Sequence, residues 1–234
     1  MKKKWIFIGS AVFALLALGA ALFFTVIKPW LHQLEWNKMV VEYRQNKMTQ
    51  YQQENEKYGD YEVEVAFLGD SLTDGYDLQT YYPQYITANR GIGGDTTFDL
   101  EGRLQVSVYD LKPQVVVMLI GANNPETMRE NYEDILIGLK TNLPETKVVL
   151  LSMTAMGGEV WGVKNPQAAY NNVSIRLLAE KYGYTFVDLF SPLYDVSIGE
   201  VYDGYTTDGG HFTPKGYTVI TSILTPVLES ILGK

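Results

Sequence analysis

The hydrophobic pattern of the chain begins with an unbroken apolar run near the amino terminus. Residues Trp5 to Ile27 form 23 consecutive positions without a charged side chain. As a helix, this run would extend about 34 Å, which exceeds the roughly 30 Å hydrocarbon core of a bilayer. The pattern therefore predicts one N-terminal transmembrane helix, an uncleaved signal anchor, in a first segment that comprises residues 1–28.

A cleaved signal peptide is the alternative interpretation of this run. Its only plausible cleavage site, Gly19–Ala21, lies inside the run, with six further uncharged positions after it, whereas a cleavage site normally follows the apolar region. The lysines Lys2 to Lys4 precede the run, and this excess of positive charge predicts a cytoplasmic N-terminus. We therefore expect a single-pass protein of the cell membrane whose body is extracytoplasmic.

The segment 29–59 is polar and permits a helix, since it has no Gly and no Pro between Leu31 and Tyr58. Its apolar residues follow only a patchy helical spacing. Two interpretations stay open. The segment is either a juxtamembrane helical stalk or the first helix of the body, packing its Leu and Met side chains onto the core. Gly59 and Asp60 end it, so the body is predicted to comprise residues 60–234.

In the body, short apolar runs alternate with helix-like stretches. The runs predict strands at Val63–Leu68, Gln84–Ala88 (the weakest), Val115–Ile120, Lys147–Met153 and Tyr184–Leu189. The stretches predict helices at Phe98–Tyr109, Glu126–Leu143, Pro166–Tyr182 and Pro214–Leu232, the last bent at Pro226. Strands that alternate with helices indicate an α/β domain with a parallel sheet covered on both faces. Ligands bind beyond the carboxyl ends of such strands, so the residues after each strand are the candidate site.

Composition narrows the classes of function. Four of the 19 basic residues and none of the 27 acidic residues precede residue 31, so the rest of the chain is strongly acidic. An acidic body repels phosphate backbones, which disfavours nucleic acid as a partner. The chain has no cysteine, which excludes disulfides, thiolate catalysis and Cys-ligated zinc. No loop has the acidic spacing of a calcium site, and we expect neither a metal nor a cofactor.

Histidine is scarce enough to restrict the chemistry of the body. Of the two histidines, His32 lies just after the apolar run, so imidazole chemistry in the body must use His211. Asp208 precedes His211 by three residues, across two glycines, in a loop directly before the last predicted helix. The carboxylate can fold back onto one ring nitrogen and leave the other as a general base. The alternative is a histidine with a structural role.

The candidate nucleophile is Ser71, which directly follows the first strong strand in the sequence Gly69–Thr73. At a strand-to-helix turn, its backbone N–H and the helix dipole can face a developing oxyanion. The sequence is not the G-x-S-x-G elbow, because position 73 is threonine. Alternatively, Asp70 and Ser71 are only helix-capping residues.

Four sequence blocks together resemble the SGNH hydrolases, the GDSL-type esterase and lipase family. Gly69–Thr73 resembles the first block of the family, Asn89–Thr97 the second, Gly121–Asn124 the third and Asp208–His211 the last. One block is weak evidence, whereas four in this order across residues 62–217 are specific. The resemblance implies a flavodoxin-like three-layer α/β/α sandwich with a five-stranded parallel sheet.

The resemblance also implies roles for individual residues. It implies a catalytic triad and an oxyanion hole made of three N–H donors. The triad would be Ser71, Asp208 and His211, and the donors would be the backbone N–H groups of Ser71 and Gly94 and the side-chain amide of Asn123.

Three further residues are expected at the substrate pocket. They are Asp70, beside the nucleophile, Asn124, after the amide donor, and Trp161, in the long stretch after the third strong strand. The family commonly has aspartate at position 124, but an asparagine can accept similar hydrogen bonds without charge, so we expect activity to survive. Trp161 would form a wall of the acyl or alcohol pocket; alternatively, it plugs the core beneath a long loop.

These features predict a membrane-anchored, extracytoplasmic serine esterase that hydrolyses acyl esters. Small acyl groups on cell-surface carbohydrates are the expected substrates. A lipase or lysophospholipase and an acyltransferase are alternatives on the same triad. From a different class, the body could be a catalytically silent binding module.

Overall fold

A computed structural model describes residue 18 and residues 21–234 of the protein, and it divides the chain into two compact units. The first unit extends to Lys47 and the second comprises Met48–Lys234. In the first unit, a π-helical turn, Phe23–Ile27, leads into helix α1, Lys28–Asn55, which continues into the second unit. The turn and the following residues expose their apolar side chains, among them Phe24, Trp30, Leu34 and Met39.

The predicted transmembrane span lies mostly outside the described residues, which lack positions 1–17, 19 and 20. Within the part of the chain that is described, no helix has the length and apolarity needed to cross a bilayer.

The last two turns of α1 belong to the second unit. Tyr51 is buried, and its hydroxyl donates to the Gly91 carbonyl (2.5 Å). Glu54 pairs with the guanidinium of Arg90 (2.5 Å), and the Asn55 amide donates to the Val106 carbonyl (2.8 Å). The compact domain thus begins at Met48, whereas we predicted residue 60. The contacts of this end of the helix are made by polar and aromatic side chains. The spacing of apolar residues in the sequence therefore could not predict that it packs on the domain.

The core of the second unit is a five-stranded parallel sheet, as the sequence predicted. Its strands occur in the order β2-β1-β3-β4-β5. They are β1 Val65–Gly69, β2 Thr87–Gly91, β3 Val115–Leu119, β4 Lys147–Leu151 and β5 Thr185–Val187. The reversal of strand order beside β1 places the carboxyl ends of β1 and β3 at the crevice where parallel α/β sheets bind ligands.

Alternate residues of the strands face two separate hydrophobic layers. Ala66 and Leu68 of β1 face one layer, and Val65 and Phe67 face the other. Because both faces are buried, the central strands read as continuous apolar runs. Helices therefore cover the sheet on both sides, in the three-layer arrangement that the sequence predicted.

The helices of the second unit range from single turns to the 19 residues of the last helix. They are α2 Ser71–Asp74, α3 Leu78–Tyr81, α4 Thr97–Glu101, α5 Tyr132–Asn142, α6 Gly158–Trp161, α7 Asn165–Tyr182, α8 Phe190–Leu193 and α9 Pro214–Leu232. A π-helical turn, Gln105–Tyr109, 3-10 turns at Met128–Glu130 and Gly162–Lys164, and a small hairpin of β6 Tyr194–Asp195 and β7 Glu200–Val201 complete it.

Three predicted elements differ from those observed. The helix predicted at Glu126–Leu143 is divided into the 3-10 turn Met128–Glu130 and α5. The single helix predicted at Phe98–Tyr109 is divided into α4 and the π-helical turn, with Gly102 between them. The weakest strand lies at Thr87–Gly91, three residues later than predicted, because its polar residues are held by specific partners. Asn89, for example, donates its amide to the carbonyls of Thr73 (2.7 Å) and Tyr76 (3.1 Å).

Candidate active site

Ser71 lies at the first turn after β1, where the chain passes from strand to helix. Gly69 ends the strand, and a side chain there would place its Cβ 2.2 Å from the Leu119 carbonyl oxygen, so only glycine fits. Asp70 caps α2 by accepting a hydrogen bond from the Leu72 N–H (3.0 Å). This cap holds the turn that presents the Ser71 hydroxyl at the carboxyl edge of the sheet.

The His211 loop is shaped by its own backbone contacts. Residues Thr206 and Phe212 form an antiparallel bridge, and the Thr207 N–H donates to the His211 carbonyl (2.8 Å). Gly209 has φ +90°, and a Cβ there would lie 1.9 Å from the Gly157 carbonyl oxygen. The loop can therefore pack against Gly157 only with glycine at position 209.

Asp208 holds both the backbone and the ring of His211. One carboxylate oxygen accepts the N–H groups of Gly210 (2.9 Å) and His211 (2.8 Å), and the other lies 2.8 Å from His211 Nδ1. Partial burial acts to raise the pKa of this carboxyl, but the hydrogen bonds from His211 and Gly210 outweigh it and lower the pKa to about 2. Asp208 is therefore an anion at any ordinary pH.

The second ring nitrogen of His211 faces the serine. Nε2 lies 3.1 Å from Ser71 Oγ, across 140 residues of sequence. The structure thus brings Ser71, His211 and Asp208 into one hydrogen-bonded line. In such an arrangement, the histidine can take a proton from the serine hydroxyl, and the carboxylate can stabilise the imidazolium that forms.

Potential oxyanion donors surround the same turn. Within the described part of the chain, the backbone N–H groups of Ser71 and Gly94 donate to no protein acceptor. Gly94 has φ +83° and is exposed in the loop after β2. Asn123 donates one amide hydrogen to the Asp95 carbonyl (3.0 Å), and a primary amide has a second hydrogen to offer.

Two of the three expected pocket residues, Asp70 and Asn124, form hydrogen bonds that hold the loops of the site. The Asp70 side chain is buried, and its second oxygen has no partner among the described residues. Burial raises the pKa of this carboxyl to about 7. Asn124 accepts the Thr97 N–H (3.2 Å) and donates to the Thr97 hydroxyl (2.9 Å) and the Thr127 hydroxyl (3.3 Å), so it connects two loops.

Trp161 lies beside the catalytic histidine candidate and also packs against the core. Its ring meets His211 edge-on, with centroids 5.7 Å apart, and the Lys164 ammonium lies 4.2 Å above the indole. The residue thus contacts both the His211 ring and the hydrophobic core, and its role as a wall of the substrate pocket stays a prediction. Its neighbours Val160 and Val163 are 70% and 73% exposed.

Sequence reasoning missed a buried ion pair beneath the site. Arg103 Nε donates to Asp95 Oδ2 (2.6 Å), and both side chains are almost completely buried. A signal was present, because Arg103 and Ser107 fall at helical spacing among the apolar Leu100, Leu104 and Val108 of the predicted helix. A metal site is not evident in the described residues, which hold no group of three His, Cys, Asp or Glu.

Comparison with known proteins agrees with this geometry. The model of the GDSL-like Lipase/Acylhydrolase family matches residues 67–219. The human platelet-activating factor acetylhydrolase IB subunit alpha2 is 27% identical over 192 residues, which cover 74% of this chain and 79% of the human protein.

Solved structures show the same fold. A protein from Streptococcus pneumonia described as a platelet activating factor has a TM-score of 0.76 and 25% identity, and the match covers 85% of this chain and 98% of that one. An acetylxylan esterase from Geobacillus stearothermophilus has a TM-score of 0.59 and 18% identity, with coverage of 73% and 95%. The expectation of an enzyme that acts on ester bonds is thus confirmed, and the chain belongs to the GDSL-like lipase/acylhydrolase family.

Proposed function

We propose that this protein is a serine esterase that uses Ser71 as nucleophile, His211 as general base and Asp208 as its partner. The observation that carries the proposal is the double contact of His211, with Nδ1 2.8 Å from Asp208 and Nε2 3.1 Å from Ser71 Oγ. Ser71 Oγ attacks the ester carbonyl while its proton moves to Nε2. The imidazolium then gives that proton to the leaving alcohol, and water releases the acyl group by the same steps in reverse.

The negative charge of the tetrahedral intermediate needs donors on the side away from His211. The backbone N–H groups of Ser71 and Gly94 and the Asn123 amide supply three in the proposal. They come from the loops after β1, β2 and β3, which end together at one edge of the sheet. Removal of one such donor typically costs about 10²–10³ in kcat.

Small acyl groups are the substrates that we propose. The names of the human acetylhydrolase and of the acetylxylan esterase support an acetyl ester, in the second case one carried by a carbohydrate. We extend this to acylated carbohydrates of the cell surface.

A lipid ester is the second candidate, and the exposed apolar residues beside Trp161 favour it. Val160 and Val163 place branched aliphatic side chains in solvent near His211. Such side chains would suit contact with an acyl chain or a lipid surface.

A chain-length series of nitrophenyl esters distinguishes these candidates. For the proposed esterase, kcat/KM should be at least about 10-fold higher for p-nitrophenyl acetate than for p-nitrophenyl dodecanoate. In a pocket that fits an acetyl group, even one extra methylene group can lower kcat/KM by about 10-fold. An acetylated xylo-oligosaccharide should also release acetate. The reverse order of rates would favour the lipase, and no hydrolysis of any ester would favour a binding module.

We also propose that the N-terminal run anchors the protein in the cell membrane, with the domain outside. Two observations support this: Lys2 to Lys4 precede the run, and the described part of the helix exposes Phe23, Phe24 and Trp30. Protease added to intact cells should therefore remove the hydrolase domain and its esterase activity. Protection of the domain until the membrane is opened would contradict the orientation. Release of a domain that begins near Leu22 into the medium would instead indicate a cleaved signal peptide.

A further inference from the structure

Asp95 contacts both loops that carry the proposed oxyanion donors of Gly94 and Asn123. It directly follows Gly94 in the chain, so the burial of its side chain fixes the loop that carries the Gly94 N–H. Its carbonyl accepts the Asn123 amide (3.0 Å). Its side chain is completely buried, and the carboxylate is paired with Arg103 at 2.6 Å.

Arg103 ties this aspartate to the strand that precedes the nucleophile. Its Nη2 donates to the Gly69 carbonyl (2.8 Å), two residues before Ser71. Its Nη1 donates to the Arg90 carbonyl (3.0 Å) and to the Ser107 hydroxyl (2.8 Å). A planar guanidinium offers its donors at fixed angles, so one side chain sets the distance between the ends of β1 and β2 and the Asp95 loop.

A buried ion pair is not needed for stability alone. The cost of removing both charges from water is large, and a well-packed apolar pair of similar volume often stabilises a fold as well. An apolar pair cannot form directed hydrogen bonds, whereas Arg103 donates to the ends of β1 and β2 and to Asp95 at the same time. The ion pair therefore fixes the relative positions of loops whose N–H donors must converge on one oxygen atom.

We propose that Asp95 and Arg103 are positioning residues of the oxyanion hole. They hold the Gly94 N–H and the Asn123 amide in register with Ser71, and neither side chain touches the substrate. This inference rests on the proposed role of Ser71 as nucleophile. It predicts that loss of the pair weakens binding of the transition state more than binding of the ester.

The test is Asp95→Asn, which keeps the size of the side chain and the backbone carbonyl but removes the charge that holds Arg103. We expect kcat for p-nitrophenyl acetate, per active site, to fall about 10²-fold with KM nearly unchanged, since a displacement of about 1 Å costs this much. Phenylboronic acid, which accepts the Ser71 oxygen to form a tetrahedral adduct, should lose affinity by the same factor as kcat/KM. Asn123→Ala, which removes a donor directly, sets the scale for both measurements.

The matched control is Glu54→Gln, which breaks a second arginine pair in the described residues, between buried Arg90 and half-buried Glu54. The Glu54 carboxylate pairs with Arg90 and not with Gly94 or Asn123, so this variant should unfold at a lower temperature and keep its kcat per active site within about 3-fold. If Asp95→Asn does not fold, because Arg103 is left buried without its partner, the double variant Asp95→Asn with Arg103→Met removes both charges and carries the measurement.

Two results would overturn the proposal. One is a folded Asp95 variant, single or double, with kcat and boronate affinity close to wild type. The other is an equal loss of both in Glu54→Gln, which would show a general effect of weakened packing. Either result leaves the nucleophile untouched, whereas full activity of Ser71→Ala would remove the proposed function itself.

Discussion

Replacing Ser71 by alanine should abolish ester hydrolysis and leave the domain folded. The alanine keeps the backbone N–H donor but removes the one hydroxyl that lies within hydrogen-bonding distance of His211 Nε2 in the described structure. We expect kcat for p-nitrophenyl acetate to fall at least about 10⁴-fold, with the remainder due to the oxyanion donors and to substrate binding. The side chain is half-buried and packs little, so the free energy of unfolding should change by less than about 1 kcal/mol.

A covalent serine probe makes this prediction specific to one residue. A fluorophosphonate should label the wild type and fail to label Ser71→Ala. The matched control is Ser222→Ala on α9, where the hydroxyl only donates to the Val219 carbonyl on an exposed face. That variant should keep both its labelling and its activity. Labelling that persists in Ser71→Ala would assign the nucleophile to a different residue.

The change Asp208→Asn should lower kcat/KM about 10²–10⁴-fold. The asparagine oxygen can still accept the N–H groups of Gly210 and His211, so the loop should keep its shape. The amide NH₂ would then face Nδ1 as a donor. It would favour the tautomer with the proton on Nε2, which cannot take the proton of Ser71.

The Asp208 carboxylate keeps its charge well into acid. The hydrogen bonds from His211 and Gly210 outweigh partial burial and lower the pKa of this carboxyl to about 2. Protonation of Asp208 should therefore not reduce kcat/KM of the wild type above about pH 4.

An exposed carboxylate in the same loop provides the control for Asp208→Asn. Asp203→Asn removes one negative charge at an exposed position and should leave kcat/KM unchanged. An unchanged kcat/KM in Asp208→Asn would show that Asp208 is only a turn residue.

Local sequence patterns were sufficient to predict the parallel sheet and the helices that cover it. The central strands carry apolar side chains at every position because helices cover both faces of the sheet, and α9 coincides with the predicted Pro214–Leu232. The predictions failed where polar side chains are buried by particular partners. β2 was placed three residues too early because Asn89 and Arg90 resemble loop residues until their acceptors are known.

The sequence by itself determined the fold class, the family and the candidates Ser71, Asp208 and His211, because these depend on residue types and on order along the chain. Only the tertiary structure decided that the His211 ring lies between the other two, that Asn124 connects two loops, and that Asp95 and Arg103 lie beneath the donors. The physical reason is distance along the chain. A hydrogen bond across 140 residues, or an arginine whose burial depends on carbonyls at the ends of two strands, leaves no local pattern, because its energy arises only when the sheet brings those groups together.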